Sequence, residues 1–111
     1  MFHEKLKCYK QSVEMAEDLS KEVAKWPRGN GYLSDQLKRA MASIVLNIAE
    51  GNAKFSQPER RRFFKIARAS IAEVGACLDL MRSFGLTSPI EAASFKSRLE
   101  GISKMLWALM R

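Results

Sequence analysis

Apolar side chains recur at intervals of three and four along nearly the whole chain, the spacing that lines one face of an α-helix. Three breaks interrupt the pattern: Pro27 to Gly31, Gly51 to Pro58 and Gly85 to Pro89. The first segment, about Glu4 to Lys25, places Leu6, Tyr9, Val13, Ala16, Leu19 and Val23 on one seam. The second, about Ser34 to Glu50, places Leu37, Met41, Ile44 and Ile48 on one stripe with Ala40 and Val45 beside it. Gly51 then stands where a left-handed C-terminal cap is wanted. The third opens with Ser56-Gln-Pro-Glu59, a capping box with Pro58 in the tolerant first turn. Its apolar line runs Phe63, Ala67, Ser70 or Ile71, Val74, Leu78 and Met81, and Gly85 is the natural stop. The fourth opens with a second box, Ser88-Pro-Ile-Glu91, followed by Ala92, Phe95, Leu99, Ile102, Leu106 and Leu109 in a heptad seam. Four helices of roughly 17 to 27 residues joined by short loops predict an all-α protein, an antiparallel up-down-up-down four-helix bundle over residues 1–111.

With 111 residues, the chain should bury about 65% of the surface its unfolded form exposes, enough for one core and little enclosed active-site volume. No apolar run approaches the roughly 20 residues of a membrane span. Lys5, Lys7 and Lys10 are followed by no apolar h-region, so a signal peptide is not expected and a cytoplasmic location is. Cys8 and Cys77 have no C-x-x-C spacing and no histidine cluster, and read as ordinary thiols rather than a disulfide or a zinc site. Met15, Met105, Trp107 and Met110 lie off the predicted seams, a surplus of apolar surface that suggests self-association.

Catalytic chemistry finds little to build on. The one histidine, His3, lies at the chain's start, and one histidine cannot furnish a di-iron bundle. Glu14, Glu17, Asp18 and Glu22 gather carboxylates on the first helix, but Lys21 and Lys25 sit among them, as on a solvated face with local ion pairs. No glycine-rich phosphate loop occurs. The reading is therefore a non-enzymatic protein without catalytic residues, metal or cofactor.

Charge supplies the positive signal. The formal net charge is +7, from 19 Lys and Arg against 12 Asp and Glu, and the stretch Lys54 to Ala72 carries +5 of it. Lys54, Arg60, Arg61, Arg62, Lys65 and Arg68 stand there against Glu59 alone. At 100° per residue Arg61, Lys65 and Arg68 share a stripe roughly 140° from the predicted apolar line. Cations in the first turns of a helix oppose its macrodipole, at a few tenths of a kcal/mol each where exposed. A polyanion is the economical reason for them, because arginine matches phosphate bidentately and bound phosphates release counterions. Lys38 and Arg39 on the second helix are weaker candidates for the same surface. Tyr32 and Phe55 are expected to pack rather than to offer bases a stacking platform.

Three stretches carry a resemblance: Tyr32-Leu-Ser-Asp-Gln-Leu-Lys-Arg-Ala40, then S-I-V-L-N-I-A-E-G at Ser43 to Gly51, then Phe63-Phe-Lys-Ile-Ala-Arg-Ala-Ser-Ile-Ala-Glu73. Together they resemble the bacterial four-helix bundle proteins first met as reading frames in intervening sequences of large-subunit ribosomal RNA genes. They are similar also to the accessory variability determinants of diversity-generating retroelements. The resemblance implies a non-enzymatic bundle forming a ring-like homopentamer with a positive surface that binds nucleic acid. In the retroelement branch it also implies a reverse transcriptase as partner. Asn47, Glu50 and Gly51 match the family motif, with hydrogen bonding to a neighbouring helix or subunit as the modest expectation. The function expected is RNA or DNA backbone binding through the third helix. The alternative is a scaffold that docks a partner enzyme without touching nucleic acid.

Overall fold

The computed structural model describes residues 2–111. Four helices, α1 (Phe2–Val23), α2 (Gly31–Ala53), α3 (Gln57–Ser83) and α4 (Pro89–Leu109), occupy nearly all of them, and no strand occurs among the described residues. Each helix packs on the one before it and α4 returns to α1, which closes a four-helix bundle measuring 45 × 23 × 18 Å.

Both predicted N-cap serines operate, but neither glutamate closes its capping box. Ser56 Oγ accepts from the Glu59 amide at 3.3 Å and Ser88 Oγ from the Glu91 amide at 3.1 Å, with Pro58 and Pro89 in the first turns. Each satisfies an amide that the helix leaves without a partner. The carboxylate of Glu91 does not reach back; it accepts from Thr87 Oγ1 at 3.3 Å instead. Gly85 ends α3 as predicted: at φ +72° it lets the Leu86 amide reach the Met81 carbonyl at 2.8 Å, a Schellman closure. Gly51 does not end α2. The helix continues two residues further, and Gly51 is buried within it.

The core follows the predicted stripes on α2 and α4. Leu37, Ala40, Met41, Ile44 and Ile48 are buried, as are Ala92, Leu99, Ile102, Leu106 and Leu109, with Phe95 packed half-buried against them. On α3 the line shifts by one residue at its start: Phe64 is fully buried, whereas Phe63 is half-buried on the flank. On α1 the second half of the predicted seam holds, with Leu19 buried and Ala16 and Val23 packed against the core, but the first half turns. Cys8, Ser12, Met15, Leu19 and Glu22 face the core, and Leu6, Tyr9 and Val13 remain between 37% and 39% exposed. Ser12 can be buried there because its Oγ donates to the Cys8 carbonyl at 2.8 Å. Met15 and Met110, expected to be surplus apolar surface, are both core residues.

Candidate nucleic-acid interface

Ser56 and Pro58 start α3 at a fixed phase, and that phase decides where each cation goes. Ala67, Ile71, Val74 and Leu78 point inward, so the arginine-rich first turns divide around them. Arg61, Lys65 and Arg68 lie on the flank facing α4. Arg62 lies on the flank facing α2, next to Lys54 at the end of that helix: the Lys54 ammonium and the Arg62 guanidinium stand 5.3 and 5.6 Å from the Phe63 ring centroid. Arg60 turns back along its own helix and donates from Nε to Gln57 Oε1 at 3.0 Å.

On the α4 flank the cations do structural work as well. Arg61 Nε donates to the Met110 carbonyl at 2.7 Å, and Gln57 Nε2 donates to the Arg111 carbonyl at 2.6 Å. The start of α3 thus closes the end of α4, and a cation that is unfavourable at the positive end of its own helix is favourable at the negative end of the next. Two turns along α3, the Arg68 guanidinium carbon lies 3.9 Å from the ring centroid of Trp107. Trp107 remains 51% exposed. The sequence marks Trp107 only as an apolar residue off the α4 seam; its place on the stripe beside α3 emerges once α3 and α4 are packed together.

Lys38 and Arg39 are exposed, and Lys38 stands apart from these residues. Lys38 lies beside Ala16, Leu19, Ser20 and Val23 in the groove between α1 and α2, away from the α3–α4 flank. Tyr32 and Phe55 do not pack: both are exposed, Phe55 at 97%.

The three motif residues have distinct places. Asn47 Nδ2 donates to the Ser43 carbonyl at 2.8 Å and to Ser43 Oγ at 3.2 Å, and Ser70 Oγ of α3 donates to the same Ser43 Oγ at 2.7 Å. This polar relay ties α2 to α3. Glu50 is exposed and 3.7 Å from Lys54. Gly51 leaves space for the Phe64 ring: a Cβ built there would stand 2.7 Å from Cδ1 and nearer still to Cε1.

Ion pairs elsewhere involve the ordinary surface. Lys21 pairs with Glu17 at 3.5 Å, Lys25 with Glu22 at 3.7 Å, Lys96 with Asp79 at 2.6 Å and Arg98 with Asp18 at 2.9 Å. Glu22 departs from the solvated face expected for the acidic cluster, because its side chain is buried against Glu91 and Thr87. Burial and then Glu91 push its carboxyl above the usual range. Both cysteines are buried free thiols. Burial pushes Cys8 up to about 11 and raises Cys77 as well, which makes both poor nucleophiles. Among the described residues no three His, Cys, Asp or Glu side chains gather as a metal site, and no helix is long and apolar enough to cross a membrane.

The fold and this surface define a small helical bundle whose third helix carries cations along two flanks. The family model for the 23S rRNA-intervening sequence protein matches residues 4–108, and the chain belongs to that family. A crystal structure of a protein of unknown function from the S23 ribosomal protein family, from Bacteroides thetaiotaomicron VPI-5482, has the same fold. Its TM-score is 0.84 at 20% identity over 96% of this chain and 97% of that one. No curated protein matches the chain.

Proposed function

We propose that this protein binds the sugar-phosphate backbone of RNA or DNA through α3 and performs no chemistry on it. One observation carries the reading. Arg60, Arg61, Arg62, Lys65 and Arg68 have no carboxylate partner among the described residues and crowd into one stretch of α3, whereas the other cations without one, such as Lys7, Lys38 and Lys104, are spread over the other helices. Five cations in nine residues without counter-charge favour a polyanion, and arginine's planar fork suits phosphate oxygens. Arg61 spends one N–H on Met110 and keeps its terminal nitrogens for a ligand. The family's description, which refers to the intervening sequence of 23S rRNA, agrees with a nucleic-acid setting.

The assembly reading has its own support. Short connections, together with the bonds from Gln57 and Arg61 in the first turns of α3 to the end of α4, favour an antiparallel up-down-up-down order. Asn52 Nδ2, which donates to the Lys5 carbonyl at 3.3 Å, relates α2 to α1 in the same sense. The exposed Leu6, Tyr9 and Val13 seam favours self-association, for which a ring-like homopentamer is the arrangement the sequence resemblance implies. A reverse transcriptase partner rests on that resemblance too, and a neighbouring reverse transcriptase gene is the observation that tests it.

The test of backbone binding uses Arg62→Glu with Lys65→Glu, both exposed and outside the bonds that close α4. Folded variant protein, verified by circular dichroism, should bind RNA and DNA of unrelated sequence more weakly. The slope of log affinity against log salt should fall by about two, one per lost phosphate contact. An unchanged slope would assign the binding to another surface. Capture of a protein partner that survives nuclease treatment, with no nucleic acid bound, would instead favour the scaffold reading.

A further inference from the structure

Trp107 and Arg68 form a flat, cationic, solvent-facing pair that phosphate binding does not require. A guanidinium carbon 3.9 Å from an indole centroid is in stacking contact, yet the indole is still 51% exposed, so the pair covers part of the ring and leaves part open. Lys65 lies one turn before Arg68 and Lys104 one turn before Trp107; both are exposed, and neither has a carboxylate partner among the described residues. Arg61, at the end of the same α3 stripe, is fixed by the Met110 carbonyl. The nearest acid along this stripe of α4 is Glu100, two turns from Trp107, which bounds the site on that side.

The geometry points to a stacking site for an unpaired nucleobase on the Trp107–Arg68 pair, with Lys65 and Lys104 taking the flanking phosphates; the ligand is then single-stranded. This rests on the backbone-binding reading and narrows it. Every base has a π-face, and a base that stacks on indole or on a guanidinium plane must first leave its own stack. A duplex keeps its bases covered and offers this surface phosphates alone, which would leave the exposed indole unused. An arginine already stacked on the ring is fixed in place, so less side-chain freedom is lost when the base arrives.

The experiment uses the full chain with Trp26→Phe, so that Trp107 is the one remaining tryptophan. Its emission is followed while a twelve-residue oligouridylate, the matching oligothymidylate, or a mixed-sequence duplex is added at constant salt. Single strands should quench the emission and bind at least tenfold more tightly than the duplex; a difference between the two single strands would tell RNA from DNA. In the otherwise native chain, Trp107→Ala should weaken single-strand binding about 10- to 100-fold with the salt slope unchanged, and Trp107→Phe should retain most of the affinity. Equal affinity for duplex and single strands with no effect of Trp107→Ala would overturn the stacking site and leave backbone binding standing. No binding of any of the three would overturn both.

Discussion

Gly51 is a glycine for what touches it. It has ordinary helical backbone geometry, so the conformational freedom that usually explains a glycine near a helix end is not in use. The Phe64 ring occupies the volume where a Cβ would stand, and Phe64 is fully buried with no free direction in which to retreat. Gly51→Ala therefore sets two effects against each other. Alanine gains about 1 kcal/mol of helix propensity, while overpacking a close contact costs about 1–3 kcal/mol. The ring wins, because the obstacle is a rigid aromatic rather than the tip of a flexible chain. A net loss of up to about 2 kcal/mol is expected in urea unfolding. In a double-mutant cycle Gly51→Ala should cost less on a Phe64→Leu background than on the native one, since the smaller side chain frees the space. Sequence alone places Gly51 at a helix end and cannot show this contact, because the ring it meets belongs to the next helix. Phe63 and Phe64 present the same difficulty: two adjacent aromatics fit a stripe about equally well, and only the seat at Gly51 decides which enters.

Helix by helix, legibility depended on how many apolar stripes each sequence offered. On α2 and α4 the stripe with regular three-four spacing is the buried one, although α4 carries Ile90 and Trp107 outside it. On α1 two compete: they share Leu19, and over the first half of the helix Leu6, Tyr9 and Val13 lose to Cys8, Ser12 and Met15, a line that continues to Glu22. The cost of that choice falls on Glu22. Its carboxyl is buried where the end of α1 meets the start of α4, facing Glu91, with Lys25 3.7 Å away as partial compensation. Burial first and Glu91 second raise it above its ordinary 4.5. The folded protein then holds a proton that the unfolded chain has lost, so Glu22's contribution to stability is full below about pH 4.5 and declines as pH rises through its raised value. Glu22→Gln keeps the shape and removes the charge. The variant should melt at a higher temperature than the native protein at pH 7, and this advantage should disappear at pH 4. A higher melting temperature of equal size at both values would assign the effect to packing instead.

At the scale of the whole molecule, the two properties proposed for this protein respond to salt in opposite directions. Each chain carries +7, so a ring of five would carry about +35, and bringing those charges together is opposed most strongly when little salt screens them. The apolar seam of Leu6, Tyr9 and Val13 is indifferent to ionic strength at this level. Self-association should therefore strengthen between about 0.02 and 0.3 M salt as the Debye length shrinks. Nucleic-acid affinity should fall over the same range, because counterion release loses its entropic advantage. Native mass spectrometry and sedimentation at both salts separate the two. The native chain should shift toward the larger species at high salt, and a short oligouridylate should produce the same shift at low salt by neutralising the α3 cations. Leu6→Ser with Val13→Ser should abolish the larger species under every condition while leaving helix content intact, since both side chains lie outside the core. If the double variant assembles like the native chain, the α1 seam is not the contact between copies; if oligouridylate leaves the low-salt distribution unchanged, charge on α3 is not what holds the copies apart.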